Sequence, residues 1–188
     1  GHHGIWGHGL AAWPSSMLRP SYQVPLIIRG PGVAAGANRG LVSQLDIPNT
    51  LLSAAGVAPV DTPRQDSRAI DLSDPGQPHR DFLCLEQEET RAIRTAENLY
   101  VERFTSASVE PLASEFYDLS SDPQERVNLG GTDQPSPTES GLAARMRDYF
   151  ADHADPAHDL WAGGRAKSNV TDPAFWQAAW GQNWRCTN

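Results

Sequence analysis

Three histidines stand in the first eight residues, Gly1-His2-His3-Gly4-Ile5-Trp6-Gly7-His8, a Gly-rich turn that leaves imidazoles on tightly folded, exposed backbone. An unperturbed imidazole titrates near ~6.5. It can therefore hold a proton beside a developing anion, or hand that proton to a leaving group. His8 is the candidate for such work. His2 and His3 are adjacent and point in different directions, so backbone ordering or solvent exposure is a simpler reading than metal binding. His153 and His158, with Asp152, Asp155 and Asp159, could gather around a metal, yet the loop containing Pro156 reads more simply as polarity at a helix end. Glu86, Glu88 and Glu89 could supply an acid/base pair and read better as an exposed strand end. Cys84, in Phe82-Leu83-Cys84-Leu85, is expected to be a small buried core residue. Cys186 is the only other cysteine, and two do not make a disulfide framework.

The elements around these residues follow from periodicity and punctuation. Val24-Pro25-Leu26-Ile27-Ile28-Arg29 is an apolar run closed by Gly30-Pro31-Gly32 and predicts a buried strand fed by the His-containing turn. Next, Asp46 is a good N-cap, Pro48 fits a first turn and Gly56 supplies a left-handed stop, which predicts a short helix. Its apolar face, Ile47, Leu51, Leu52 and Ala55, is expected to pack on the preceding strand. Residues 57–80 are loop-rich and mark a subdomain boundary. Beyond them, short strands are predicted at 81–86, 91–95, 99–102 and 115–119, with a turn at Ala96-Glu97-Asn98 that favours antiparallel pairing. An amphipathic helix over 138–153 presents Leu142, Met146, Tyr149 and Phe150 on one face, with Arg145, Arg147 and Asp148 outside it. A last helix begins at Asp172-Pro173, and the helical spacing of Trp176, Trp180 and Trp184 predicts a stripe that docks on its own domain, or stacks on a sugar ring.

Composition bounds the function classes. At 188 residues, 39% hydrophobic and 20% charged, the sequence is that of a globular protein, and no apolar run approaches the ~20 residues that span a bilayer. A net charge of −8 with no basic stripe makes nucleic acid a poor partner. The same field repels a long polysulfated chain unless arginines cluster locally. The 15 basic residues are lopsided, Lys167 being the single lysine. Asn169-Val170-Thr171 is a glycosylation sequon only in a secretory eukaryotic setting.

Taken in order, these pieces resemble a type I sulfatase of the alkaline phosphatase superfamily. The resemblance is carried by the turn from Gly1 to His8, by Val24-Pro25-Leu26-Ile27-Ile28 with Pro31-Gly32, and by Leu41-Val42-Ser43, Asp46-Ile47, Thr50-Leu51-Leu52 and Ala55-Gly56. It continues through Ala92-Ile93-Arg94-Thr95 and Leu99-Tyr100-Val101. It ends in Glu115-Phe116-Tyr117-Asp118-Leu119 with Asp122-Pro123-Gln124-Glu125-Arg126-Val127-Asn128-Leu129. These segments cover roughly residues 1–130; nothing over 154–188 takes part.

The resemblance implies an α/β fold. Residues 1–75 would be the C-terminal portion of an alkaline-phosphatase-like sandwich. Residues 76–153 would be a small α+β subdomain with a four-stranded antiparallel sheet and a helix, and 154–188 a Trp-rich extension. It implies hydrolysis of small or carbohydrate sulfate esters, with calcium and a formylglycine nucleophile in the complete enzyme. The formylglycine motif is Cys/Ser-x-Pro-x-Arg, which follows neither Cys84 nor Cys186, and the family's Asp-rich metal motifs precede Gly1. The chain is thus expected to be the back part of a sulfatase, inert without a missing N-terminal half. His8 occupies the place of the family's lysine, which sets a cation beside the leaving oxygen; Lys167 lies outside the motif. Two alternatives remain open: a phosphodiesterase or phosphonate hydrolase of the same superfamily, and a non-catalytic carbohydrate-binding module built on the Trp-rich tail.

Overall fold

The computed structural model describes residues 17–61, 65–87, 90–103 and 112–155. The elements run α1 (Arg19–Tyr22), α2 (Asp46–Ala54), β1 (Phe82–Gln87), β2 (Thr90–Thr95), β3 (Asn98–Arg103), β4 (Glu115–Asp118) and α3 (Pro137–His153). The strands form one antiparallel sheet in the order β1-β2-β3-β4. The fold is mixed α/β, and the antiparallel subdomain matches the expectation in strand number and antiparallel pairing.

The sheet forms because its strands alternate apolar residues between two covered faces. On one face, Ile93, Tyr100 and Phe116 align across β2, β3 and β4. They pack with Leu142, Ala143, Met146 and Phe150 of α3. On the other face Ala92, Leu99, Val101, Tyr117 and Leu119 close around Met17, with Leu18 and Leu85 against them. Helix α3 begins as a capped helix should: the Glu139 N–H donates to Ser136 Oγ at 3.1 Å, and Pro137 occupies the first turn. Its buried residues include Leu142, Met146 and Phe150, as its periodicity predicts.

The ending after β4 is built by side chains that replace backbone partners. Asp122 Oδ2 accepts the N–H groups of Arg126 at 2.6 Å and Val127 at 2.8 Å. Asn128 Oδ1 accepts from Phe116 N–H at 2.9 Å and Gly130 N–H at 2.8 Å, which covers the open edge of β4. Gly130 must be glycine because a Cβ there would come within 2.7 Å of the Phe116 nitrogen.

Two expectations are corrected. Residues 24–29 are extended but form no strand, since no described segment pairs with them, and Ile27 is 89% exposed. Helix α2 forms where predicted and stops at Gly56 with φ +71°. It is turned the other way, however. Its buried residues are Asp46, Asn49 and Thr50, whereas Leu51 is 61% exposed. An apolar stripe tells which face seeks a partner, and here the described chain covers it only in part: Ile47 and Leu52 are half-buried, Leu51 and Ala55 exposed. The sandwich expected over 1–75 is accordingly not formed by the described residues.

Two substitutions separate covered from uncovered surface. Met146→Ala should cost about 2–5 kcal/mol through the cavity it leaves. Ile27→Glu should shift stability by less than about 0.5 kcal/mol, as an exposed site does. Urea unfolding of the 188-residue chain measures both.

Candidate functional site

The most densely bonded polar site among the described residues sits under α2. Asp46 is fully buried, and its carboxylate takes five partners. Ser43 N–H and Arg68 N–H each donate at 2.9 Å, the first to Oδ2 and the second to Oδ1. Arg80 Nε donates to Oδ2 at 2.8 Å, its Nη2 donates to Oδ1, and His79 Nε2 lies 3.0 Å from Oδ2. Arg80 also reaches Asp66 through Nη1 at 2.6 Å, and Asp66 is shared with Arg68 Nε at 2.9 Å.

Local sequence explains how these groups meet. Asp46 opens α2, where an acid is favoured by the helix dipole, and folds back on Ser43. Arg80 ends the loop immediately before β1. Thr50 Oγ1 donates to Asp46 O at 2.6 Å and accepts from Ile70 N–H at 2.9 Å. Asn49 exchanges bonds with Val60, its Nδ2 donating to the Val60 carbonyl at 3.1 Å and its Oδ1 accepting from Val60 N–H at 2.9 Å. The loop 57–80 is thereby pinned to the polar side of α2.

Burial alone would raise the Asp46 carboxyl, but the Arg80 hydrogen bonds, the two backbone N–H donors and the Arg80 charge together hold it below the usual carboxylate range. Asp66 is lowered in the same way: burial opposes, and Arg80 and Arg68 prevail. Burial disfavours the Arg80 cation, yet its bonds to Asp46 and Asp66 raise it further above its ordinary value. A carboxylate with every lone pair engaged and a guanidinium that cannot lose its proton make a structural cluster, not an acid/base pair. No nucleophile is positioned against the Asp46–His79 contact by any bond described above.

A second polar region is a cleft of about 400 Å³ between β2, β3 and α3, lined by Arg91, Tyr100, Glu102, Arg103, Ser114 and Arg147 among others. Its charges are already matched. Arg91 pairs with Glu86 at 2.7 Å, Arg103 with Glu115 at 2.8 Å, and Arg147 with Glu102. The Tyr100 hydroxyl donates to Glu102 at 2.8 Å. Burial and the neighbouring Glu102 raise its phenol.

Of the residues singled out in the sequence, His8, the turn around it with His2 and His3, Glu88 and Glu89, His158 and Asp159, Lys167, the Asn169 sequon, Trp176, Trp180, Trp184 and Cys186 lie outside the described residues. Cys84 is a half-buried free thiol, pushed up to about 12 by burial, and therefore protonated at neutral pH. Glu86 is the partner of Arg91, which accounts for it without chemistry. His153 Nδ1 lies 2.8 Å from the Tyr149 carbonyl and its ring stacks on Tyr149 with centroids 4.1 Å apart, so it ends α3. No group of three His, Cys, Asp or Glu that could hold a metal occurs among the described residues. No helix among them is long and apolar enough to cross a membrane. The Asp46–Arg80 cluster was missed in the sequence. Its only local signal was an Asp at a helix start, expected as the N-cap; the cap position is Leu45, and Asp46 is the first helical residue, its carboxylate taken by Ser43, Arg68 and Arg80.

No protein-family model matches the chain. No curated protein matches it either. Among solved structures, it is similar to a sulfatase ("4S-sulf") from the metabolism of multiple glycosaminoglycans by Bacteroides thetaiotaomicron, at 17% identity and a TM-score of 0.42. The match covers 60% of this chain and 27% of the other, so the chain spans just over a quarter of that structure's length.

The cluster predicts a pH dependence with a definite sign. Because the folded Asp46 pKa lies below its unfolded value, its stabilisation is fully present above about pH 4 and is lost as pH falls through the folded value. Asp46→Asn should destabilise the chain by about 3–5 kcal/mol at pH 7, since it leaves Arg80 buried without its main counter-charge. The gap to the unaltered protein should narrow below about pH 4, as urea midpoints across pH would read.

Proposed function

We propose that this chain is the C-terminal part of a sulfatase of the alkaline phosphatase superfamily that hydrolyses small or carbohydrate sulfate esters. The observation that carries the reading is where the chain is bare. Residues 24–32 and 41–56 are the stretches that resemble the family's strand and helix. They expose Val24, Leu26, Ile27, Leu45 and Leu51, with Val57 and Val60 just beyond. The antiparallel unit, which resembles the family's ending, closes two cores of its own. An extended apolar segment that pairs with no described strand and a partly exposed apolar helix face are what a central α/β sheet would cover. The missing N-terminal half is proposed as that cover.

In this reading His8 takes the place of the family's lysine. When the S–O bond of the ester breaks, its electron pair goes to the leaving oxygen, and an imidazolium at His8 both stabilises that charge and supplies the proton. The residues in hand do not fit the family's calcium or its formylglycine. Cys84 is followed by Leu85-Glu86-Gln87 and Cys186 by Thr187-Asn188, and no metal-ligating cluster gathers among the described residues. Both groups would belong to the N-terminal half, and the chain alone is proposed to be inert.

The test uses the protein extended upstream of Gly1, assayed on aryl sulfates, sulfated saccharides and phosphodiesters. Sulfate-ester turnover should fall as pH rises through about 6.5, the imidazolium range, and His8→Lys should flatten that limb. A profile that the substitution leaves unchanged removes His8 from the chemistry. Phosphodiester turnover without sulfatase activity overturns the substrate class.

A further inference from the structure

Residues 17–22 lie on the sheet face opposite α3, and their hold there converges on one carboxylate. Glu125 is 1% exposed, and its backbone φ of +55° makes it the one non-glycine residue among the described residues with a left-handed conformation. Glu125 Oε2 accepts the backbone N–H of Arg19 at 2.5 Å, and Oε1 pairs with Arg94 Nη1. The same Nη1 donates to the Tyr22 hydroxyl at 2.7 Å, and the guanidinium carbon stands 5.9 Å from the Tyr22 ring centroid. Groups from three separate stretches of chain thus meet at an oxygen pair that water does not reach.

The turn itself does not call for an acid. Glycine suits a left-handed backbone better than glutamate, and asparagine tolerates it. A glutamate kept there against that preference is explained by what its carboxylate holds. Met17 adds a non-directional apolar anchor in the core below, whereas charged hydrogen bonds fix direction as well as proximity.

We infer that Glu125 is a positioning residue: through Arg94 and the Arg19 amide it fixes residues 17–22, which begin nine residues after His8 in the sequence, on the antiparallel unit. Any bearing on His8 rests on the function proposed above; the clamp does not.

Tyr22 reports the clamp. Burial pushes its phenol up to about 12, with Glu125 adding to the shift and Arg94 and Arg19 opposing it. In the full chain, with Cζ carbon-13 tyrosine and the four tyrosines assigned by single Tyr→Phe variants, Glu125→Gly and Glu125→Asn both relax the backbone while removing the carboxylate. Each should speed amide exchange at Arg19 and Tyr22 at least about tenfold, which decides the test; the Tyr22 titration should also drop toward its ordinary value of 10.0, part of that drop following from the lost Glu125 charge alone. Tyr149, on the other side of the sheet, should keep its own raised value. Arg19 and Tyr22 amides that exchange no faster in these variants overturn the inference.

Should both variants unfold the chain, Arg94→Gln decides by sign. Arg94 favours the phenolate, so its loss raises Tyr22 further if the segment stays docked, and lowers it toward 10.0 if the segment is released. Release supports the clamp, and a rise overturns the part of it assigned to Arg94, leaving the Arg19 amide as its only hold. An unaltered extended protein without sulfate-ester turnover would remove only the bearing on His8.

Discussion

The ion pair between Asp46 and Arg80 joins the α2 stretch to the sheet, and the placement of that stretch depends on it. Residues 30–80 contain a single short helix, and the inward side of that helix is polar. Such a stretch has little apolar area to bury, so hydrophobic burial cannot dock it. What docks it is a carboxylate with all its lone pairs used and a guanidinium held by two acids. Arg80 directly precedes β1, so one side chain fixes the helix to the edge of the sheet. A buried pair of this kind gives less net stability than well-packed apolar residues would, but it is strongly destabilising to break and specific in direction. It therefore sets an orientation: with α2 pinned by its polar side, its apolar side must face outward.

That orientation explains which expectations held. The sheet was legible because its signal is local: short alternating runs, a two-residue connection at Ala96 and Glu97, and a cap at Ser136 all act within a few residues. The helix at 46–54 was legible in extent for the same reason. Its facing was not. Periodicity identifies an apolar stripe at Ile47, Leu51 and Leu52, but it is silent on whether the covering surface belongs to the same folded unit. Residues 24–29 failed in the same way, since a strand is defined by a neighbour and the sequence of one strand does not contain its neighbour. Asp46 was read as a cap, and its partner lies 34 residues away. Glu125 was legible only as a letter in a motif, because nothing in Pro123-Gln124-Glu125-Arg126 announces a left-handed backbone. His8, which the proposed chemistry uses, lies outside the described residues.

The lopsided use of arginine acquires a physical reason from these contacts. Arg80 grips Asp46 with two nitrogens and Asp66 with a third. Arg103 reaches Glu115 through both Nε and Nη2. Arg91 lies over the Phe150 ring and Arg145 over Phe82, each at 4.1 Å, while Arg91 also pairs with Glu86. A planar fork can bridge two acids, or stack and donate at once; an ammonium is a single strongly hydrated point and does neither well. The acidic balance of the chain is thus compatible with buried cations, because Arg80, Arg91 and Arg94 are spent on internal acids and not left as a basic surface.

Two of the buried carboxylates, Asp46 and Glu125, also divide the chain by how it closes. Glu125 draws residues 17–22 onto a unit whose cores are complete, and Asp46 orders a stretch whose apolar side remains open. Order and burial are separable here: hydrogen bonds hold 41–56 in shape without covering Leu51, and no stronger ion pair would cover it. Only a second apolar surface could, and it must also offer backbone partners to 24–29, because Ile27 and its neighbours expose both side chains and peptide groups. A lipid or a small ligand supplies the first requirement but not the second. A polypeptide strand supplies both, and for that reason the bare region suits a protein surface better than a lipid or a small ligand.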